Sequence, residues 1–299
     1  MTRALTVWQW TDGKRGHERQ CEGLVAALAE RVCVNHRLLR APSSAWARGL
    51  AFCGGPLPLP EGQPDLLLGA GRACQLPLLA ARRRRGGRAV YLMRPQLPLS
   101  WFDLNVVPRH DGVAASAHVV VSEGPLNPVR PAAARDESLG LVLLGGASAH
   151  HAWDSDAMLA QLERVLRATP ARRWVVTDSR RAPADLAVRL AALPGIEFHS
   201  HRETPPDWLP ALLARAAEVW VSADSVSMIY EALSGGARVG VLDVPPRRAD
   251  RITTIAADLR ARGLTHGVDE APLTAAPPTP LDEAGRVAEL ILARWFTVS

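Results

Sequence analysis

Lysine is almost missing from this chain. Lys14 is the one lysine among 35 basic residues; the others are arginine. With alanine, proline and glycine also abundant, the net charge of +5 reads as compositional drift rather than a nucleic-acid footprint. Aromatic residues are only 5%, mostly tryptophan, and they do not interleave with the basic residues as a base-stacking surface requires. No nucleic-acid partner is expected. Cysteine is scarce too: Cys21, Cys33, Cys53 and Cys74 lie 12 or more residues apart. That spacing suggests neither a zinc site nor a disulfide framework, and it fits a reducing cytoplasm. No apolar run approaches the roughly 18 residues of a membrane span. The stretch from Met1-Thr2-Arg3 to Thr11-Asp12 is too short for a signal peptide. What remains is a chain of 299 residues, 47% hydrophobic and 22% charged, long enough for two domains with separate cores.

Short apolar runs alternate with helical periodicity throughout. Residues 4–8 form a strand that meets the polar turn Thr11-Asp12-Gly13-Lys14-Arg15-Gly16. A helix over 17–30 follows, with Cys21, Leu24, Val25 and Leu28 on one face. Further strands are expected at 35–39, 65–68, 89–93 and 104–107, implying a parallel sheet covered on both faces. Residues 122–138 carry three prolines and no periodicity, as a linker would. A second α/β unit starts with strand 139–144, which runs into Gly145-Gly146. Helix 155–168, strand 174–177, helix 184–193, strand 196–199 and helix 208–217 come next. Strand 219–221, a helix and strand 238–242 complete the unit, and a last helix spans 281–295. Two Rossmann-like α/β domains and a closing C-terminal helix describe the GT-B architecture. The expected divisions are an acceptor-side domain (1–125), a linker (126–138), a nucleotide-sugar-binding domain (139–280), and a helix (281–299) packing back toward the first domain.

The polar strand ends carry the chemistry. Gly13 and Gly16 permit close backbone approach, and Asp12, Lys14, His17 and Glu18 supply charge and a proton carrier. His17 has the intrinsic pKa of a general base near neutrality. Asp12 or Glu18 could act instead, or orient the imidazole. In the second unit Gly145-Gly146, Ser179-Arg180-Arg181 and Asp224-Ser225 each follow a strand of one sheet, so all three are expected to converge on a diphosphate. Asp224 or Ser225 can cap the next helix. Its N-terminus favours an anion; Ser227 adds a hydroxyl, and Glu231 two turns on could reach a ribose. Asp243 is placed against a donor sugar. Asp154-Ser155-Asp156 reads as a helix N-cap and His150-His151 as too isolated, so no metal is expected. The run Arg82-Arg83-Arg84-Arg85 is either a solvated helix end or a contact for anionic lipid. The turn-rich residues 46–60 are either a packed surface loop or a lipid contact.

These motifs resemble the mitochondrial-fission-protein-like family, bacterial relatives of a plant protein whose loss elongates mitochondria. The resemblance rests on Trp8-Gln-Trp-Thr-Asp-Gly-Lys-Arg-Gly-His-Glu-Arg-Gln20, Leu143-Leu-Gly-Gly146, Val176-Thr-Asp-Ser-Arg-Arg-Ala-Pro183 and Ser222-Ala-Asp-Ser-Val-Ser-Met-Ile-Tyr-Glu-Ala232. Arg15 departs from the family's proline, Arg19 from its asparagine, and Asp207-Trp208-Leu209-Pro210 from its Asn-Pro-Tyr. Members are assigned as glycosyltransferases or epimerases. The resemblance therefore implies an inverting, metal- and cofactor-independent GT-B glycosyltransferase acting on a nucleotide-sugar donor and a cell-envelope or lipid-linked acceptor. It would be cytoplasmic, peripheral to the inner membrane face through Arg82, Arg83, Arg84 and Arg85. The His17 loop is similar to that of the lipid-II-forming N-acetylglucosaminyltransferase, which places the base at His17. A non-catalytic recruiting protein and a sugar-nucleotide epimerase are the alternatives on the same shell.

Overall fold

The computed structural model describes residues 3–296; the expected domain ends at 1, 2 and 297–299 lie outside them. The chain divides into two units, one of residues 1–128 with 282–299 and one of residues 129–281.

In the first unit six strands pair in parallel: β1 (Leu5–Thr11), β2 (Val34–Arg40), β3 (Leu66–Ala70), β4 (Arg88–Leu92), β5 (Leu104–Pro108) and β6 (Val119–Ser122). Their spatial order is β2-β1-β3-β4-β5-β6. β3 is buried at every residue and β1 at all but one, as strands covered on both faces must be. Helix α1 (Arg15–Ala29) packs Cys21, Leu24 and Leu28 on one face with Leu5, Val7 and Leu68. The final helix, α9 (Glu283–Trp295), adds Val287, Ala288 and Ile291 to that same core. The opposite face buries Trp8, Trp10, Tyr91 and Phe102 under α3 (Gln75–Arg85) and α2 (Ala45–Phe52).

The second unit has the order β12-β11-β10-β7-β8-β9. Its strands are β7 (Asp136–Leu143), β8 (Arg173–Thr177), β9 (Ile196–His199), β10 (Ala216–Ser222), β11 (Arg238–Leu242) and β12 (His266–Gly267), again all parallel. Helices α4 (Ser155–Ala168) and α5 (Ala184–Ala191) cover one face. Helices α6 (Trp208–Arg215), α7 (Val226–Gly235) and α8 (Ile255–Ala261) cover the other. Among the described residues no helix is long and apolar enough to cross a membrane.

Several expectations need correction. Residues 46–52 belong to helix α2, capped by Ser44 Oγ, which accepts from Ala47 N at 3.1 Å; Gly49 within so short a helix hid its periodicity. β7 reaches back into the expected linker, because Asp136 pairs with Ala216 through backbone, and ladder bonds are indifferent to side-chain polarity. Helix α6 stops at Arg215, and the apolar run from Ala216 continues as strand β10. The arginine run is not simply solvated. Arg82 bonds Trp101 O at 2.9 Å and Asp103 at 2.9 Å, Arg83 lies over the Phe52 ring, and Arg84 donates to the carbonyls of Ala51 and Gly55 at 2.6 Å. Three of the four arginines therefore tie α3 to its neighbours. As expected, Asp154 caps α4, accepting from Asp156 N at 2.9 Å and Ala157 N at 3.1 Å.

Candidate functional site

In an open parallel sheet ligands gather at the carboxyl ends of strands where the crossovers diverge. Each unit has such a point, between β1 and β3 in the first and between β7 and β10 in the second. The candidate residues sit at these two places.

At the first, β1 ends in Thr11 and the chain turns through Gly13 at φ +77. Asp12 accepts the Lys14 N–H at 3.1 Å, which holds its carboxylate in place, and both its oxygens lie 3.0 Å from His17 Nδ1. An ionised carboxylate can only accept, so Nδ1 carries the ring proton. Nε2 is then the basic nitrogen, with no protein hydrogen bond among the described residues. Glu18 is held elsewhere: its Oε1 accepts the Thr11 hydroxyl at 2.7 Å, and Thr11 Oγ1 accepts the Gly13 N–H at 2.9 Å. Geometry thus separates two carboxylates the sequence left equivalent. Asp12 orients the imidazole, and Glu18 braces the turn. Lys14 precedes α1 without capping it through its side chain, and Gly16 has open space beside it.

Gly71, which the sequence reading passed over, completes this site. It follows β3 at φ +85, and a Cβ there would come within 2.3 Å of His17 Nδ1 and 2.7 Å of Asp12 Oδ2. Its signal was the strand-then-glycine pattern Leu68-Gly-Ala-Gly71. Gly71→Ala is expected to push the pair apart and to strain the backbone, with folding largely retained. Loss of the hydrogen-bonded His17 Nδ1–H resonance in proton NMR would register it.

At the second point the glycines meet side chains of the fold. Gly145 N donates to Ser222 Oγ at 2.7 Å and Gly146 N to Asp224 Oδ2 at 3.1 Å. The Asp224 side chain is wholly enclosed and pairs with the Arg181 guanidinium at 2.7 Å, which also donates to Gly146 O at 2.9 Å. Ser179 donates to Gly145 O at 2.9 Å. A Cβ on Gly145 would lie 2.0 Å from Asp224 Oδ2, and one on Gly146 would lie 2.0 Å from the Arg181 carbonyl. The diglycine is required by this packing. The expectation that Asp224 or Ser225 caps α7 is corrected: Ser225 stands at the N-cap without a side-chain bond, and Asp224 turns inward to Arg181. The first-turn N–H groups of α7 are left for another acceptor. Arg180 is exposed and unpaired among the described residues, and Ser227 is exposed. Glu231 is buried within α7. Beside these, His201 donates its backbone N–H to Asp178 Oδ1 at 2.7 Å, with its ring Nδ1 2.8 Å away. Nothing in the sequence linked those two residues, 23 positions apart. Among the described residues no three His, Cys, Asp or Glu side chains cluster as metal ligands.

His151 follows the diglycine loop and is buried. Burial lowers its pKa from the ordinary imidazole value, against a partial opposing pull from Asp224. As pH falls below about 6.5 the unfolded chain binds this proton while the native chain resists it. Stability is therefore complete above that pH and declines below it. The melting temperature is expected to fall between pH 7 and 5.5, less steeply in His151→Gln.

The family model for mitochondrial fission ELM1 matches residues 15–295, nearly the whole chain. The chain belongs to the mitochondrial fission ELM1 family. No curated protein matches this ELM1-family sequence. Among solved structures it is similar to a protein from Listeria monocytogenes assigned as a UDP-N-acetylglucosamine 2-epimerase, with TM-score 0.59 and 13% identity over 99% of this chain and 98% of that one. The Neisseria meningitidis UDP-GlcNAc 2-epimerase bound to UDP-GlcNAc gives TM-score 0.55 and 11% identity over 98% and 99%. The Staphylococcus aureus MnaA structure with UDP gives 0.51 and 13% over 98% and 97%. At such identities the likeness is one of fold: the ELM1-family chain has the GT-B-like fold that epimerases and glycosyltransferases share.

Proposed function

We propose that this chain is an inverting glycosyltransferase that moves a sugar from a nucleoside-diphosphate or CMP donor to a hydroxyl of an envelope or lipid-linked acceptor. The observation that carries the reading is the His17–Asp12 pair. It presents one oriented imidazole whose second nitrogen is basic, at a strand end suited to ligands. His17 Nε2 removes the acceptor proton, and the oxygen attacks the anomeric carbon. The bond from that carbon to the leaving phosphate oxygen breaks, and the phosphate departs with the electron pair. Arg180, the open N–H groups at the start of α7 with Ser225 and Ser227, and the Gly145-Gly146 backbone stabilise the charge that develops there. Arg181, Asp224 and Ser179 hold that loop in shape, and Glu231 holds the ribose. Gly13, Lys14 and Gly16 form the acceptor-side rim. These cationic and dipolar groups supply the role a metal would otherwise fill. Contact with the inner face of the membrane belongs to the same reading and rests on the exposed Trp101, whose carbonyl accepts from Arg82 of the arginine run, and on the exposed Trp46 of α2.

The test is a melting-temperature screen of the full chain against UDP, GDP, TDP, CMP and their sugars, since a ligand of the native state raises the midpoint by mass action. One nucleotide class should raise it, and the rise should weaken in Glu231→Ala. Silence across the panel would reject the donor site. An epimerase on this fold is separated by the same donors, because it converts the sugar with no acceptor added.

A further inference from the structure

Helix α2 turns apolar side chains outward. Ala51 is its one buried residue, whereas Trp46 is 75% exposed and Leu50 39% exposed. These two stand four positions apart and so share one side of the helix, a stripe that a surface helix ordinarily gives to the core. At its end α2 delivers Phe52 to a hollow of about 550 Å³, lined also by Leu79, Arg82, Arg83 and Trp101. The Phe52 and Trp101 rings stack there with centroids 5.9 Å apart, and Trp101 is 42% exposed. Hydrocarbon is thus left open both along the helix and at its end.

The charge of these elements has one sign. α2, α3 and the helical turn Leu99–Trp101 hold Arg48, Arg82, Arg83, Arg84 and Arg85 and no acidic residue. Residues 31–60 and 66–102 contain no Asp or Glu at all, although the chain has 30. Asp103 neutralises Arg82 at 2.9 Å. Arg83 donates to the Phe52 carbonyl at 3.2 Å with its guanidinium 3.7 Å from that ring's centroid, and Arg84 takes the carbonyls of Ala51 and Gly55. Carbonyls at a helix C-terminus hold a cation in place without cancelling its charge. Arg83 and Arg84 therefore keep their charge where Phe52 enters the hollow. A nucleic acid would meet those charges but leave Trp46, Leu50 and the hollow unused. A bilayer with anionic headgroups meets both, with phosphate at guanidinium, hydrocarbon in the hollow and tryptophan at the level between them.

We propose that the α2–α3 face docks on an anionic lipid bilayer, with headgroup phosphates on Arg83 and Arg84 and one lipid chain entering the hollow against Phe52, Leu79 and Trp101. This deepens the membrane contact put forward above and rests on it. It does not rest on sugar transfer.

The experiment is co-sedimentation of the full chain with vesicles of phosphatidylcholine alone and of phosphatidylcholine mixed with phosphatidylglycerol. Only the mixed vesicles should retain the protein, and less of it as salt rises. Arg83→Ala should weaken binding about fivefold, the contribution of one basic residue near an anionic surface. Trp46→Ala should weaken it about tenfold through lost apolar burial, and this exposed position carries the test if Arg83→Ala does not fold. Lipid brominated on its acyl chains should quench tryptophan emission, and less so in Trp101→Leu. No retention, equal retention on both vesicles, or retention undiminished in Arg83→Ala and Trp46→Ala would overturn the proposal. Quenching unchanged in Trp101→Leu would overturn chain entry into the hollow. Release from the vesicles by RNA, with RNA binding indifferent to Trp46→Ala, would assign the face to nucleic acid instead. The nucleoside-diphosphate screen reads the second unit and can succeed or fail whichever way the vesicles answer.

Discussion

His17→Ala is expected to abolish sugar transfer while leaving nucleotide binding intact. The imidazole lies at the β1/β3 strand ends of the first unit, whereas every residue placed on the donor belongs to the second. Removing a positioned base costs about 10²–10⁴-fold in rate. Asp12→Asn should fall in the same range for a different reason. An asparagine amide can donate to Nδ1, which then favours the tautomer with its proton on Nε2, and the basic nitrogen is lost. Glu18→Gln should cost far less, because Glu18 accepts from Thr11 and does not touch the imidazole. Turnover at saturating donor, read beside the nucleotide-induced melting shift, checks all three. Full activity in His17→Ala would remove the imidazole from the chemistry. Equal losses in Asp12→Asn and Glu18→Gln would deny that the two carboxylates differ.

The second large effect is on stability. Arg181→Ala strips the counter-charge from a carboxylate that has no solvent exposure. Among the described residues its Oδ2 then keeps only the Gly146 N–H at 3.1 Å. Breaking a buried pair by removing one partner costs about 3–5 kcal/mol. Arg181 is 39% exposed, so solvent screening reduces the expected loss to about 2 kcal/mol. For a unit of this size that is about 4–8 °C in melting temperature. Asp224→Ala with Arg181→Ala should cost less than the sum of the single changes, since the double variant strands no charge. Additive losses would mean that the pair is not coupled. Gly145→Ala tests the same packing sterically, because its new methyl would meet the Asp224 carboxylate.

Much of the fold was legible because it depends on periodicity. Runs such as Leu66-Leu-Leu and Leu139-Gly-Leu-Val-Leu are apolar on both faces, and only a covered parallel strand uses that pattern. The polar turns after them marked the carboxyl ends of the strands, with Asp12 and His17 in the first unit and Gly145 and Gly146 in the second. Short or polar-ended elements were missed. α2 has glycine in a helix of 8 residues, and β7 opens with Asp136-Glu137-Ser138, whose backbone pairs regardless of side chain.

What no local pattern could decide was which neighbour each polar group faces. Residue order already contains the strands, the helices, the turns and the chemistry available at each turn, since those follow from spacing and propensity within a few residues. Strand order is a property of the assembled sheet. It brings Gly71 to His17 across 54 positions, Asp224 to Gly146 across 78, and His201 to Asp178. Burial then sets their roles: the Asp224 carboxylate, which in sequence looks like a helix cap, becomes an enclosed partner of Arg181 because β7 and β10 are adjacent. Thr265 and His151 illustrate the same limit. In sequence they are an ordinary threonine and one of two neighbouring histidines, and only the packing of the second unit buries them both.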